Sequence, residues 1–136
     1  TLYTIGAIKE IEGVRTYVSV DGGMTDNIRP ALYGAKYEMA IANKITDKCN
    51  DRVAIAGKCC ESGDILIENA KLPKISQNDL LIIYTTGAYG YSMASNYNKL
   101  GRPAVVFVKD GHARVVIKKE SYENMLDLEC NEVINV

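Results

Sequence analysis

Apolar and β-branched residues along this chain recur in short runs separated by turn-forming residues, which is the pattern of strands rather than of long helices. Two early runs, Leu2–Ile11 and Thr16–Val20, are rich in β-branched and aromatic residues and predict two strands joined by a turn at Gly13. The glycine pair in Asp21–Gly23 is predicted to end the second strand, because glycine permits positive φ. Four further strands are predicted at Lys36–Ile41, Arg52–Gly57, Asp64–Glu68 and Asp79–Tyr84.

The last third of the chain predicts a hairpin followed by a helix. Ala104–Lys109 and Ala113–Lys118 flank Asp110-Gly111, a pair that favours a tight β-turn. Ser121–Leu128 opens with a helix-capping residue and predicts a short helix. Many short strands with frequent turns favour a sandwich or barrel. A parallel α/β sheet is not expected, because the strands do not alternate regularly with long helices. The fold class predicted from the pattern is therefore mainly β.

Two segments between strands are predicted to be irregular. Asn27–Gly34 is predicted to be a loop or short helical turn, with Pro30 as a breaker. Gly87–Asn98 mixes small residues with tyrosines and is predicted to be a loop that leads into a short helix.

Composition excludes several classes of partner. The 136 residues fit one domain, and sixteen basic against seventeen acidic residues give a net charge of -1. Such a chain has no basic field that would attract nucleic acid or an anionic membrane. Its longest apolar runs, Leu80–Tyr84 and Ala104–Val108, are far too short to span a bilayer. The chain shows no signal-peptide pattern and opens without Met, so we expect a piece of a longer protein.

Cysteine usage predicts a reduced, cytoplasmic setting. None of the four cysteines forms a C-x-x-C pair, and adjacent Cys59 and Cys60 are a poor geometric pair for a disulfide. His112 is the only histidine, so no metal site is predicted.

Three polar segments suggest chemistry beyond a β core, although each also has a purely structural interpretation. In Val20–Gly34, Arg29 could clamp a carboxylate with two parallel hydrogen bonds, or it could be a surface residue of a structured turn. In Gly57–Asp64, a thiol near carboxylates suits a proton donor better than a nucleophile, or it could be a small buried cysteine before a solvated turn. In Thr86–Asn98, tyrosine hydroxyls could reach phosphate or carboxylate oxygens, or the rings could pack a tight turn.

Four blocks of this sequence resemble, in order and spacing, the C-terminal half of the diaminopimelate decarboxylases, which are fold-type III pyridoxal-phosphate enzymes. The blocks are DGGMTDNIRPALYGA at Asp21–Ala35, CESGD at Cys60–Asp64, GAYGYSMASNYN at Gly87–Asn98 and RPAVVFVKDG at Arg102–Gly111. The resemblance implies that residues 1–136 form the C-terminal β domain, a Greek-key-like barrel or sandwich with one or two short helices, as in alanine racemase-like enzymes. It also implies that the N-terminal cofactor-binding TIM barrel is absent from this chain.

The resemblance further implies roles for five residues. Cys60 matches the family cysteine that reaches into the partner subunit's site and protonates the carbanion left after loss of CO₂. Glu61 matches the residue that holds the distal end of the substrate by its ammonium, while Arg29 and Tyr33 match the family's substrate-recognition pair, with Arg29 on the distal carboxylate. Tyr89 matches a tyrosine near both substrate and cofactor. The implied enzyme is a homodimeric carboxy-lyase of lysine biosynthesis that uses pyridoxal 5'-phosphate to convert meso-2,6-diaminopimelate to L-lysine.

The same resemblance implies that this chain alone is inactive, because the family's cofactor lysine and phosphate loop have no counterpart here. Lys36 follows the Arg29–Tyr33 block and is assigned to a strand edge rather than to the cofactor. Two alternatives stay open. One is the C-terminal domain of another fold-type III decarboxylase, acting on ornithine, arginine or carboxynorspermidine. The other is a non-catalytic β-barrel binding module.

Overall fold

Strands dominate the computed structural model, which describes residues 1–133. The strands are β1 (Leu2–Ile11), β2 (Arg15–Val20), β3 (Met39–Ile41), β4 (Asp51–Ala56), β5 (Ile65–Leu72), β6 (Leu80–Ile83), β7 (Val105–Lys109) and β8 (His112–Ile117). The helices are α1 (Arg29–Tyr33), α2 (Gly90–Met93) and α3 (Tyr122–Leu126), and 3-10 turns lie at Ala42–Lys44 and Tyr97–Lys99. The mainly β prediction is confirmed, with three short α-helices in the described part of the chain where one or two were expected.

The chain divides into two compact units, Thr1–Ala94 and the residues from Ser95 onward. The first unit holds a six-stranded sheet in the order β3-β6-β1-β2-β4-β5. All its neighbouring strands are antiparallel except β2 and β4, which run parallel. The two outer strands, β3 and β5, contact each other, so the sheet is nearly closed into a barrel.

The core of the first unit follows from the alternation of side chains along its strands. Inward-facing Tyr3 and Ile5 of β1 pack with Val18 of β2, and Leu81 and Ile83 of β6 complete this part of the core. Each fully buried aliphatic side chain of this kind contributes roughly 1.5–3 kcal/mol by removal from water. This packing gives a rigid frame from which the polar loops project.

Helix α1 confirms the short helical turn that was one of the two predictions for Asn27–Gly34, but the prediction that Pro30 breaks it was wrong. Pro30 lies in the first turn of α1. Backbone N–H groups in a first turn have no acceptor within the helix, so proline loses no hydrogen bond there, and its fixed φ suits the helix. The helix ends at Gly34, whose φ of 61° is left-handed and whose N–H donates to the carbonyl of Pro30 at 3.0 Å. Pro30 therefore starts the helix that carries Arg29 and Tyr33.

Two strand boundaries also differ from the prediction, because pairing partners set them. β3 covers only Met39–Ile41, the residues that pair with β6, so Lys36 lies in the loop before the strand instead of at a strand edge. β5 extends beyond the predicted Glu68 to Leu72, because β4 provides partners as far as Asp51.

The second unit contains the predicted hairpin and helix. Asp110 and Gly111 both have positive φ, 50° and 75°, as the tight turn between β7 and β8 requires. Helix α3 is capped by Ser121, whose hydroxyl accepts a hydrogen bond from the N–H of Asn124. No helix among the described residues is long and apolar enough to cross a membrane.

A buried carboxylate stabilises the entry to β6. Asp79 is 5% exposed and accepts hydrogen bonds from Lys44 Nζ at 2.6 Å, from Asn43 Nδ2 at 2.8 Å and from the N–H of Ser76 at 2.7 Å. Burial by itself would raise the pKa of Asp79, but these hydrogen bonds, with the Lys44 charge, outweigh it and lower the pKa below its ordinary value of 3.8.

We expect Asp79→Ala to destabilise the first unit by about 3 kcal/mol, because Lys44 would lose its partner in a part-buried site. The lowered pKa means that Asp79 stabilises the fold above pH of about 4 and that this contribution is lost as the pH falls below that value. Urea unfolding at pH 7 and pH 3 measures both effects, and the loss caused by Asp79→Ala should shrink at pH 3. Asp47→Ala, at an exposed carboxylate, is the control; an equal loss for both variants would contradict the expectation.

Candidate active-site residues

An arginine and two tyrosines from helix α1 and the loop after β6 meet in the first unit. The Cζ atom of Arg29 lies 5.3 Å from the ring centroid of Tyr33 and 5.5 Å from that of Tyr89, within the range of cation–π attraction. Tyr33 reaches Arg29 because four residues place the two on one face of α1. Tyr89 comes from the loop after β6. The structure thus brings together three of the five residues singled out from the sequence.

Arg29 is suited to bind an anion. Its side chain is half-buried, and no carboxylate among residues 1–133 forms an ion pair with it. The two tyrosine rings lie against the guanidinium and are themselves 64% and 67% exposed, so the cluster is open to solvent. A guanidinium carries five N–H donors in a planar fork, which matches a carboxylate or phosphate. The arrangement can therefore hold an anionic group at the surface of this unit.

The backbone of Tyr89 is held in an unusual conformation. Its φ is 64°, a left-handed value that a residue with a side chain rarely adopts and that costs of order 1 kcal/mol. The Tyr89 carbonyl accepts hydrogen bonds from the N–H of Met93 and from Ser92 Oγ, both at 3.0 Å, which hold the turn at the start of α2. Strained backbone of this kind clusters at ligand sites, and here it occurs at the residue whose ring lies beside Arg29.

The turn between β4 and β5 presents Cys60 and Glu61 at the surface. The turn is closed by a hydrogen bond from the N–H of Gly57 to the carbonyl of Asp64 at 2.8 Å, and within it the N–H of Glu61 donates to the carbonyl of Cys59 at 2.8 Å. Cys60 and Glu61 are exposed, whereas Cys59 is buried. The structural interpretation of a small buried cysteine therefore holds for Cys59, and Cys60 is accessible to a substrate.

Asp64 lies beside Cys59, a contact that sequence reasoning missed. Its Oδ2 atom accepts a hydrogen bond from the N–H of Cys59 at 2.8 Å, and its Oδ1 atom accepts one from the N–H of Met24 at 2.7 Å. Burial, together with the Asp64 charge, raises the pKa of the Cys59 thiol. The only sign of this contact in the sequence was the acidic residue at the end of the CESGD block. A cluster of His, Cys, Asp or Glu side chains that could hold a metal ion does not occur in residues 1–133.

Comparison with known proteins identifies a family. Residues 1–87 match the family model described as "Pyridoxal-dependent decarboxylase, C-terminal sheet domain". The match contains Arg29, Tyr33, Cys60 and Glu61 and ends two residues before Tyr89.

Three individual proteins illustrate the similarity. A diaminopimelate decarboxylase from Bacillus subtilis (strain 168) is 60% identical over 129 residues, which are 95% of this chain and 29% of that protein. The crystal structure of a diaminopimelate decarboxylase from M. jannaschii in co-complex with L-lysine is 34% identical, with a TM-score of 0.86 over 96% of this chain and 30% of that one. A lysine/ornithine decarboxylase from Vibrio vulnificus, complexed with putrescine, is 26% identical, with a TM-score of 0.62 over 74% of this chain and 27% of that one.

The chain thus spans about 30% of the length of these relatives, and its similarity to the two diaminopimelate decarboxylases extends over about 95% of the chain. The family model by itself matches more than half of the chain, and it describes the sheet domain that the fold displays. This chain belongs to the C-terminal sheet domain family of the pyridoxal-dependent decarboxylases.

Proposed function

We propose that this chain is the C-terminal sheet domain of a cytoplasmic diaminopimelate decarboxylase, which converts meso-2,6-diaminopimelate to L-lysine and CO₂. The observation that carries the proposal is the half-buried guanidinium of Arg29, which lies between the rings of Tyr33 and Tyr89 without a carboxylate partner in the described residues. The substrate has an amino acid group at each end, so one carboxylate remains to be recognised when the other is lost. Arg29 offers the donors that such a distal carboxylate requires.

The residues of this chain fit one edge of a pyridoxal 5'-phosphate site. The hydroxyl of exposed Tyr89 is a donor suited to the anionic edge of the cofactor, and the half-buried Arg29 fork beside it is suited to a carboxylate of the substrate. Pyridoxal phosphate, when bound, supplies the electron sink for loss of CO₂, while the protein provides placement and protons. Lys36 is exposed in the loop before β3, and we assign it no part in holding the cofactor.

Arg29 and Glu61 together select the substrate in this proposal. Arg29 binds the distal carboxylate, and Glu61 binds the distal ammonium. A molecule without the distal carboxylate would leave Arg29 unpaired in a closed site, which costs far more than the loss of a methylene contact. Tyr33 and Tyr89 keep the guanidinium in place through their rings.

Cys60 delivers the proton that replaces CO₂ at the α-carbon. Its exposure in the β4–β5 turn suits a thiol that reaches into the site of a second subunit, and Glu61 accompanies it there. We therefore place the site at the interface of a homodimer, with Arg29, Tyr33 and Tyr89 from one subunit and Cys60 and Glu61 from the other. The L-lysine bound to the M. jannaschii relative is the product expected of this reaction.

The alternative of an ornithine-type decarboxylase receives less support. The lysine/ornithine decarboxylase from Vibrio vulnificus aligns with 74% of this chain at a TM-score of 0.62, against 96% and 0.86 for the M. jannaschii enzyme. A diamine-type substrate also has no distal carboxylate for Arg29. A non-catalytic binding module would need neither an accessible Cys60 nor an unpaired Arg29.

The experiment that tests the proposal uses the full-length protein that contains this chain, saturated with pyridoxal phosphate. Release of CO₂ is measured from meso-diaminopimelate, L-ornithine, L-arginine and L-lysine at equal concentrations. We expect kcat/KM for meso-diaminopimelate to exceed that of the other substrates by at least about 100-fold, because a site built to bind a polar end group discriminates strongly against molecules that lack it. Preference for ornithine or arginine would replace the proposal with the ornithine-type alternative.

The 136-residue chain alone is expected to release no CO₂ from meso-diaminopimelate, even with added pyridoxal phosphate. The physical reason is that the residues proposed here supply a proton, recognise the distal end of the substrate and contact only one edge of the cofactor, while the lysine and the phosphate loop that anchor it are assigned to another domain. A radiometric CO₂ assay on the purified chain makes the measurement, with the full-length protein as the positive control. Turnover by the isolated chain would contradict the assignment of cofactor binding to another domain.

A further inference from the structure

The buried carboxylate of Asp64 lies where the two loops that carry the site residues meet. One loop follows β2 and leads into α1, and the other is the turn between β4 and β5. Asp64 is 2% exposed, and each of its two oxygens accepts a backbone hydrogen bond from a different loop. Oδ1 accepts from the N–H of Met24 at 2.7 Å, and Oδ2 accepts from the N–H of Cys59 at 2.8 Å. Charged acceptors make hydrogen bonds of this kind roughly twice as strong as neutral ones.

Two glycines allow the backbone to pack directly against this carboxylate. A Cβ atom added at Gly23 would lie 2.5 Å from Asp64 Oδ2, and one added at Gly57 would lie 2.1 Å from the same atom. Real Cβ atoms do not approach oxygen so closely, so both positions require glycine while Asp64 is in place. A direct backbone bond from the N–H of Lys58 to the carbonyl of Gly22, at 2.9 Å, joins the same two loops.

The residues fixed by Asp64 are the direct neighbours of the site residues. Cys59, whose N–H is bound, precedes Cys60, and its carbonyl accepts from the N–H of Glu61. On the other side, Met24 lies in the loop that opens α1 five residues later with Arg29. One side chain therefore fixes the backbone of both loops, the one that leads to Arg29 and the one that carries Cys60.

We propose that Asp64 is a positioning residue, whose carboxylate holds the β4–β5 turn against the loop after β2 so that Cys60 points outward from the domain at a fixed angle. Asp64 does not touch the substrate in this scheme. It acts through Cys60, so this inference rests on the proposed function of Cys60 as proton donor. General acid catalysis is sensitive to such placement, because a misplacement of about 1 Å can cost about 100-fold in rate.

Asp64→Asn in the full-length enzyme is the first test. The substitution keeps the size of the side chain, but it turns an NH₂ group toward one of the two backbone N–H donors and so removes one hydrogen bond. We expect kcat to fall by about 10- to 100-fold while KM for meso-diaminopimelate stays within about threefold. Asp47→Asn makes the same chemical change at an exposed carboxylate and should leave kcat unchanged.

A double-mutant cycle separates positioning from a general loss of structure. In a Cys60→Ala background, Asp64→Asn should change kcat by less than about twofold, because there is no thiol left to aim. A fall of equal size in both backgrounds would overturn the inference and leave Asp64 with a structural role only. If Asp64→Asn yields no folded enzyme, Gly57→Ala takes its place in the same cycle, since its methyl group would displace the carboxylate.

Alkylation of Cys60 by iodoacetamide gives a readout that does not depend on activity. Peptide mass spectrometry would follow Cys60 and, as an internal reference, exposed Cys49. Because Asp64→Asn would release the turn, we expect the alkylation rate of Cys60 to rise severalfold and that of Cys49 to stay the same. Unchanged Cys60 reactivity, together with unchanged kcat, would overturn the inference.

The failure of the positioning role can be told apart from the failure of the proposed function. If Cys60→Ala itself retains activity, the proposed role of Cys60 fails as well. If only Asp64→Asn is without effect, the positioning role alone fails.

Discussion

Cys60→Ala in the full-length enzyme is expected to lower kcat by about 100- to 10,000-fold, with KM for meso-diaminopimelate changed little. A positioned general acid contributes about this factor, and the missing thiol would leave solvent as the source of the proton. The thiol is accessible because the β4–β5 turn buries Cys59 and exposes Cys60. Steady-state measurement of CO₂ and L-lysine release gives both constants.

Two variants control for loss of a cysteine as such. Cys49→Ala removes an exposed thiol from the turn between β3 and β4, and Cys59→Ala removes the buried neighbour. The first should leave kcat unchanged, and the second should act mainly on stability. A Cys60→Ala enzyme within about threefold of the parent would remove Cys60 from the chemistry, whatever the substrate.

Arg29→Ala is expected to lower kcat/KM for meso-diaminopimelate by roughly 30- to 1,000-fold, which corresponds to about 2–4 kcal/mol. The substitution leaves the distal carboxylate of the substrate without its bidentate partner and removes the guanidinium that lies against the rings of Tyr33 and Tyr89. Arg29→Lys should recover only part of the loss, because lysine keeps the charge but has neither the planar fork nor the stacking surface.

Arg15→Ala provides a matched control for Arg29→Ala. Arg15 also lies over a tyrosine, with its Cζ atom 5.8 Å from the ring centroid of Tyr17, but it begins β2 after the β1–β2 turn and is not among the proposed site residues. Its removal should leave kcat/KM unchanged. Equal effects of the two substitutions would indicate that Arg29 acts on stability rather than on recognition of the substrate.

Local chemistry was sufficient to predict several elements of this fold. β1 runs over Leu2–Ile11 as predicted, because a run of β-branched and aromatic residues favours extended backbone. The β7–β8 turn at Asp110-Gly111 was predictable for a similar reason, since few residue pairs accept two positive φ values. The residues of the candidate site were also identified before the structure, through short blocks whose order and spacing resemble one family.

Other features depended on partners that lie far away in sequence. The boundaries of β3 and β5 follow the strands that pair with them, which no local pattern contains. The parallel pairing of β2 with β4 is a non-local contact of the same kind.

In the candidate site, too, the sequence identified the residues and the tertiary structure decided how they meet. The resemblance of short sequence blocks to one family indicated Arg29, Tyr33, Cys60, Glu61 and Tyr89, and the chemistry of a guanidinium and a thiol fits carboxylate recognition and proton donation. The meeting of Arg29 with Tyr89, the burial of Cys59 beside an exposed Cys60, and the attachment of Asp64 to two loops emerge from packing across the sheet. Hydrogen bonds and ring contacts between residues tens of positions apart depend on how the strands are ordered, and that order is a property of the folded domain.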